Sequence, residues 1–159
     1  MSKKILFIAL AFVIIIGGVF ALSNQVIISN NITARNFLNE VKKGDFGNAF
    51  NYVEYYDVGD DVSPQTSYEK AKDIWTSRMI KLKQEGIYLT NYKDLTGYMD
   101  DGYPKGEVTL LLSNNGEIEE QKCSIHFSKL SKKWKIEDLY FYNSNHIFER
   151  MISGDVKVK

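Results

Sequence analysis

Residues 68–95 read YEKAKDIWTSRMIKLKQEGIYLTNYKDL, and within them the apolar period changes once. Tyr68, Ala71, Trp75, Met79 and Leu82 recur at helical spacing, with Ile74 and Arg78 alongside, until Gly86 closes the pattern. From Ile87 to Leu95 the period is two, which predicts a strand. A helix therefore hands over to a sheet at Gly86, with helices and their connections read upstream and a strand meander, followed by a short closing helix, downstream.

Upstream, Ala34, Phe37, Leu38 and Val41 fall at i, i+3, i+4, i+7, a first amphipathic helix that Asn30 or Asn31 would cap and Gly44 would stop. Asp45 is placed to cap a second helix with the stripe Phe46, Ala49, Phe50 and Val53. Residues 54–67 (EYYDVGDDVSPQTS) read as an acidic loop. Ser63-Pro64, or the capping box Thr66-x-x-Glu69, would start the long third helix.

Downstream, Asp100-Asp101-Gly102 predicts a turn and residues 106–113 a second strand, with Val108, Leu110 and Leu112 on one face. Asn114-Asn115-Gly116 is a hairpin signal. A third strand over about 119–130 turns Cys123, Ile125 and Phe127 inward and Lys122, Ser124, His126 and Ser128 outward. After Ser131-Lys132-Lys133 comes a fourth strand, 134–142, and then a short closing helix capped by Asn145 and ended by Gly154. The expected fold is α+β: three helices packed on a curved four-stranded antiparallel sheet, with a short C-terminal helix.

The chain begins differently. Lys3 and Lys4 precede 18 residues, Ile5–Leu22, without one polar side chain, and no charge follows until Arg35. At 1.5 Å per residue this run spans ~27 Å, the hydrocarbon thickness of a bilayer. A transmembrane helix is therefore expected at 1–22, a polar stalk at 23–31 and an exported domain at 32–159. Lys3 and Lys4 orient the N-terminus to the cytoplasm and the domain outside. The alternative is secretion after cleavage following Ala21, at Val19-Phe20-Ala21, although the apolar run is longer than the core of an ordinary signal peptide.

The 159 residues carry 20 Lys+Arg and 20 Asp+Glu, so no basic footprint for nucleic acid exists. Without Lys3 and Lys4 the remainder has a net charge of −2. The single Cys123 permits neither an internal disulfide nor a cysteine-based zinc site, and it lies too far from the apolar run to be a lipid anchor.

The run Phe37-Leu38-Asn39-Glu40-Val41-Lys42-Lys43-Gly44-Asp45-Phe46-Gly47-Asn48-Ala49-Phe50 is similar to the helix–Gly-Asp–helix opening of many exported bacterial members of the nuclear transport factor 2-like superfamily. Trp134-Lys135-Ile136-Glu137-Asp138-Leu139 resembles the closing strand of the same proteins. The resemblance covers about residues 32–142 and implies a cone-shaped, cystatin-like α+β fold. One departure is that no extra strand pair is evident between the second and third helices. The superfamily spans isomerases and dehydratases, ligand pockets and non-catalytic scaffolds. An anchor followed by this fold also resembles the bitopic subunits of conjugation and type IV secretion machines.

Asp138 is the one catalytic candidate. If Trp134, Ile136 and Asp138 share the inner face by period two, its carboxylate enters the cone as a general base beside a Tyr hydroxyl; a bulge at Glu137-Asp138 would put it outside. His126 and His146 read as surface histidines, because no metal-ligand spacing relates them. Glu54, Asp57, Asp60 and Asp61 lack the register of a calcium loop and read as solvated. Neither metal nor cofactor is expected. Of the ten tyrosines, Tyr52, Tyr55, Tyr56, Tyr98, Tyr103, Tyr140 and Tyr142 are expected to line a ligand mouth or a protein interface.

These readings lead to a non-enzymatic, membrane-anchored extracytoplasmic module that binds a protein partner, itself, or a small apolar ligand. The alternatives are a subunit of a conjugation- or secretion-type envelope complex, and an isomerase- or dehydratase-like enzyme built on Asp138 and a Tyr.

Overall fold

The computed structural model describes residues 3–57, 64–129, 133–142 and 146–158, with side chains from residue 23 onward. In chain order the elements are α1 (Lys3–Lys43), α2 (Phe46–Ala49), a 3-10 turn (Phe50–Tyr52), α3 (Tyr68–Gln84), β1 (Ile87–Asp100), β2 (Tyr103–Asn114), β3 (Glu117–Ser128), β4 (Lys135–Phe141) and α4 (Ile147–Ile152). The four strands form one antiparallel sheet in sequence order. The α+β class and the helix-to-sheet switch at Gly86 are as expected from the sequence.

α1 differs from expectation. Asn30 and Asn31 do not cap a helix, because α1 runs unbroken from Lys3 to Lys43. No Pro or Gly lies between Leu22 and Ala34, so nothing stops the helix there, and the stalk 23–31 is helical. The expected membrane segment, 5–22, lies outside the residues whose side chains are described. Among those that are, no helix is long and apolar enough to cross a membrane. α1 ends in a Schellman closure: Gly44, at φ 80°, donates its N–H to Val41 O and Asp45 donates to Glu40 O. Asp45 then caps α2 by accepting from Asn48 N at 3.2 Å.

α1 and α3 pack on one face of the sheet. Ala34, Phe37, Leu38 and Val41 from α1 meet Trp75, Met79 and Leu82 from α3 and Val108, Leu110, Cys123 and Ile125 from the strands, all buried. Trp75 is the central side chain, wholly buried against the rings of Phe37, Phe46 and Phe50. Its indole N–H donates to Ile152 O at 3.2 Å. Phe148 and Ile152 of α4 are buried too, so the closing helix belongs to the core.

Two helix starts differ from expectation. α3 begins after Ser67, not at Ser63-Pro64 or Thr66, because the Thr66 hydroxyl and N–H both donate to Asp57 Oδ2 at 2.6 Å, with Gln65 N on Oδ1. The Asp57 carboxylate is thus consumed as a loop staple, and these bonds hold it below the usual carboxylate range. Asp60, Asp61, Ser63 and Asn145 lie outside the described residues; the cap of α4 is His146, whose Nδ1 accepts from Phe148 N. β1 is longer than expected, reaching Asp100, and Asp101-Gly102 and Asn115-Gly116 form two-residue turns with φ positive at both positions.

Candidate functional site

The sheet has a second face, turned away from the helices. Its rows follow from the register: Thr96, Glu107, Ser124 and Tyr140 lie side by side across the four strands, and beside them Tyr98, Lys105, His126 and Asp138. Tyr103 extends the surface at one end, and Tyr142, just past β4, extends it at the other. Tyr98, Tyr103, Tyr140 and Tyr142 are all exposed, Tyr103 most at 67%. The charges between them are paired: Lys105 Nζ lies 2.5 Å from Asp100, Lys93 2.8 Å from Glu120 and Lys122 3.3 Å from Glu107. Aromatic rings thus stand in a surface whose lysines already have partners.

Asp138 belongs to this outer face, not to the core. Phe127 pairs with Ile136 while His126 pairs with Asp138, so Glu137 is an extra residue in β4. This bulge shifts the alternation by one: Ile136, Leu139 and Phe141 point inward, and Asp138 and Tyr140 point outward. The bulge is fixed from outside the sheet, where Glu54 N donates to Ile136 O at 2.7 Å and Gly154 N to Glu137 O at 2.8 Å. An Asp138 general base inside a cone is therefore corrected.

On the outer face Asp138 Oδ1 sits 2.9 Å from His126 Nδ1, and His126 Nε2 sits 3.2 Å from Ser124 Oγ. The Tyr140 ring stacks on the imidazole at 6.4 Å and 6°. The neighbouring Asp138 carboxylate raises the His126 pKa above its ordinary value, against the opposing effect of burial. With the proton on Nδ1, Nε2 accepts from the Ser124 hydroxyl, the connectivity of a Ser-His-Asp triad. The setting is wrong for acyl transfer. Ser124 is only 6% exposed, and β3 is paired on both edges over Cys123–His126, which spends the N–H groups an oxyanion hole would need. The trio puts an imidazole whose pKa is raised by a carboxylate on a tyrosine-bearing surface.

The remaining tyrosines lie elsewhere. Tyr55 packs on Phe50 and Tyr68 and donates its hydroxyl to Thr66 O; Tyr56 bridges to Asp155; Tyr52 lines a separate cleft beside α1. The seven tyrosines therefore divide: Tyr98, Tyr103, Tyr140 and Tyr142 share the outer sheet face, Tyr52 and Tyr55 lie on the helix side, and Tyr56 lines a shallow cleft at the edge with Asp138 and Tyr140. Among the described residues Phe37, Leu38, Phe50 and Trp75 fill the inner face, and no cone mouth opens between these tyrosines.

Sequence reasoning missed the C-terminal strap. Arg78 of α3 is buried, and its guanidinium donates to Ser153 O and Asp155 O, both at 2.7 Å. Burial pushes it down to about 10, so it stays charged at neutral pH. Its place on the apolar stripe of α3 was the available signal. Among the described residues no cluster of three or more metal-ligating side chains occurs.

Comparison with protein-family models, with curated proteins and with solved structures found no match. What the geometry defines is a class: an α+β domain carried on a long N-terminal helix, with a tyrosine-bearing open sheet face.

Proposed function

We propose that the chain is a membrane-anchored module of a bacterial envelope, with no catalysis of its own, that offers its outer sheet face to a protein partner. The single observation that carries this is α1. One unbroken helix holds both the apolar run 5–22 and the residues Ala34, Phe37, Leu38 and Val41 of the domain core. A bilayer-length segment with Lys3 and Lys4 at its start is thus joined to the domain without a hinge residue. Helix through Ala21 supports retention of the segment over cleavage there.

In this reading the domain is a cone-shaped, nuclear transport factor 2-like scaffold on the outer side of the membrane. The filled inner face favours a protein partner over a small apolar ligand, and the exposed rings of Tyr98, Tyr140 and Tyr142 supply the contact area. The bitopic subunit of a conjugation- or secretion-type complex is the particular form favoured by a rigid helix, which fixes how the sheet face is presented. The isomerase-like alternative loses its motive, since Asp138 is not in the core.

The test is native mass spectrometry of the untagged protein extracted gently from its own envelope. A full-length mass bound to another chain, lost on replacing Tyr140 and Tyr142 by Ser, is expected. A monomer shortened to begin at Leu22 and carrying a small extra mass would overturn the proposal.

A further inference from the structure

A cleft of about 560 Å³ lies on the helix side, between α1 and the residues that follow β3 and open β4. Lys129 just after β3, Lys133 and Trp134 just before β4, and Lys135, the first residue of β4, line it. Ser29 and Thr33 of α1, with Asn51 and Tyr52 of the 3-10 turn, complete its lining. Among the described residues no carboxylate lines the cleft, and none forms an ion pair with these three lysines. This contrasts with Lys93, Lys105 and Lys122 of the outer face, each of which has an acidic partner. The contacts the cleft lysines do make are with rings: Lys129 Nζ lies 5.6 Å from the centre of Trp134 and Lys135 Nζ 5.9 Å from that of Tyr68. In a chain whose exported part is net acidic, three unneutralised ammonium groups converge on one concave site.

The height of the site is set by α1. Ser29 is seven residues past Leu22, the end of the apolar run, hence ~10 Å further along the helix axis. The polar headgroup layer extends roughly 5–8 Å beyond the hydrocarbon on each side. The cleft therefore begins about where that layer ends, within a Debye length of ~8 Å of its phosphates. Trp134 and Tyr52 beside the lysines are the residue types that favour this interface.

We propose that this cleft takes the phosphate of an anionic phospholipid headgroup from the leaflet out of which α1 rises. The ligand chemistry is a phosphodiester monoanion held by Lys129, Lys133 and Lys135, with Ser29 and Asn51 in reach as neutral donors. The inference rests on the reading of residues 5–22 as a membrane anchor. Its function is to hold the domain upright against the surface and so fix the direction of the outer sheet face.

The experiment uses the full chain in vesicles of pure phosphatidylcholine and of phosphatidylcholine mixed with phosphatidylglycerol. Flotation with the pure phosphatidylcholine vesicles tests the anchor alone; failure to float sinks the anchor and this inference with it. The cleft is then read by acrylamide quenching of tryptophan emission. The chain has two tryptophans, and Trp75 is wholly buried, so the accessible signal is that of Trp134. Phosphatidylglycerol is expected to shield Trp134. A Lys129→Gln, Lys133→Gln, Lys135→Gln variant should float equally well and need far more phosphatidylglycerol for the same shielding. At about fivefold per lysine the loss is roughly a hundredfold. Normal flotation with equal quenching in both vesicle types would overturn the cleft while leaving the anchor standing. Shielding that persists in the triple variant would do the same. Inorganic phosphate added to the phosphatidylcholine vesicles should leave Trp134 unshielded; shielding by it alone would make the site one for free phosphate and overturn the lipid assignment.

Discussion

His126 and Asp138 face each other across β3 and β4 with Nδ1 2.9 Å from Oδ1, and they do so because Glu137 is one residue too many for the strand. Without the bulge, Asp138 would alternate inward with Ile136. With it, a carboxylate that would be costly in the core becomes half of a surface pair.

That pair titrates. The His126 pKa is raised, so the contact stabilises the fold fully below the unfolded value of ~6.5 and the contribution disappears as pH rises through the higher folded value. Both side chains are more than a third exposed, so the magnitude is below ~1 kcal/mol. In an NMR titration the His126 ring should titrate above ~6.5 in the natural chain and at a lower pH in Asp138→Asn. Identical titrations would mean that the carboxylate does not act on the ring.

Ser124 tests whether the same trio is chemistry. Hydrolysis of an activated ester by the natural chain and by Ser124→Ala should be equal. A loss in Ser124→Ala that is matched in His126→Ala would show that the buried hydroxyl is reached and used.

Arg78 is predicted to hold the C-terminal strap. Arg78→Met leaves Ser153 O and Asp155 O without their donor and should cost ~3 kcal/mol in urea denaturation. The amide of Val156, which donates to Tyr56 O, should lose hydrogen-exchange protection with it. Gly154→Ala should loosen the same strap, since a Cβ there would meet Glu54 O at a distance no real contact allows. A strap that stays protected in both variants would contradict this account.

Asn30 is a stabilising opportunity. It is 1% exposed on α1, and neither amide atom has a hydrogen-bond partner. Asn30→Leu removes that burden and should raise stability by ~1 kcal/mol. A destabilised variant would show that the amide is satisfied in solution.

The sequence carried much of this fold because its signals were local. The 3.6 period of Ala71, Trp75, Met79 and Leu82, the alternation of Val108, Leu110 and Leu112, and Asn115-Gly116 each place an element with no long-range information. Asn30 and Asn31 misled as caps because a good N-cap residue is also tolerated within a helix that has no reason to stop. Thr66 misled because its hydroxyl was already taken by Asp57, eight to nine residues earlier in the chain, like Gln65 N. Asp138 is the instructive case. Period two predicts the inward face, whereas one inserted residue, pinned by Glu54 N and Gly154 N from distant segments, reverses it. The lysines of the cleft were visible as Lys129, Lys133 and Lys135, but only folding brings them together with Ser29 and Tyr52.

The central claim is that the domain stands outside the membrane on an uncleaved helix, and Cys123 makes it measurable. Cys123 is fully buried and its thiol is pushed up to about 12, so the natural chain should not react with a membrane-impermeant maleimide. Tyr103→Cys places one reactive thiol on the exposed sheet face. The account predicts labelling of Tyr103→Cys in intact cells, on a protein of the full 18.3 kDa that stays with the membrane fraction. Labelling only after the cells are broken, or on a shortened soluble product, would contradict it.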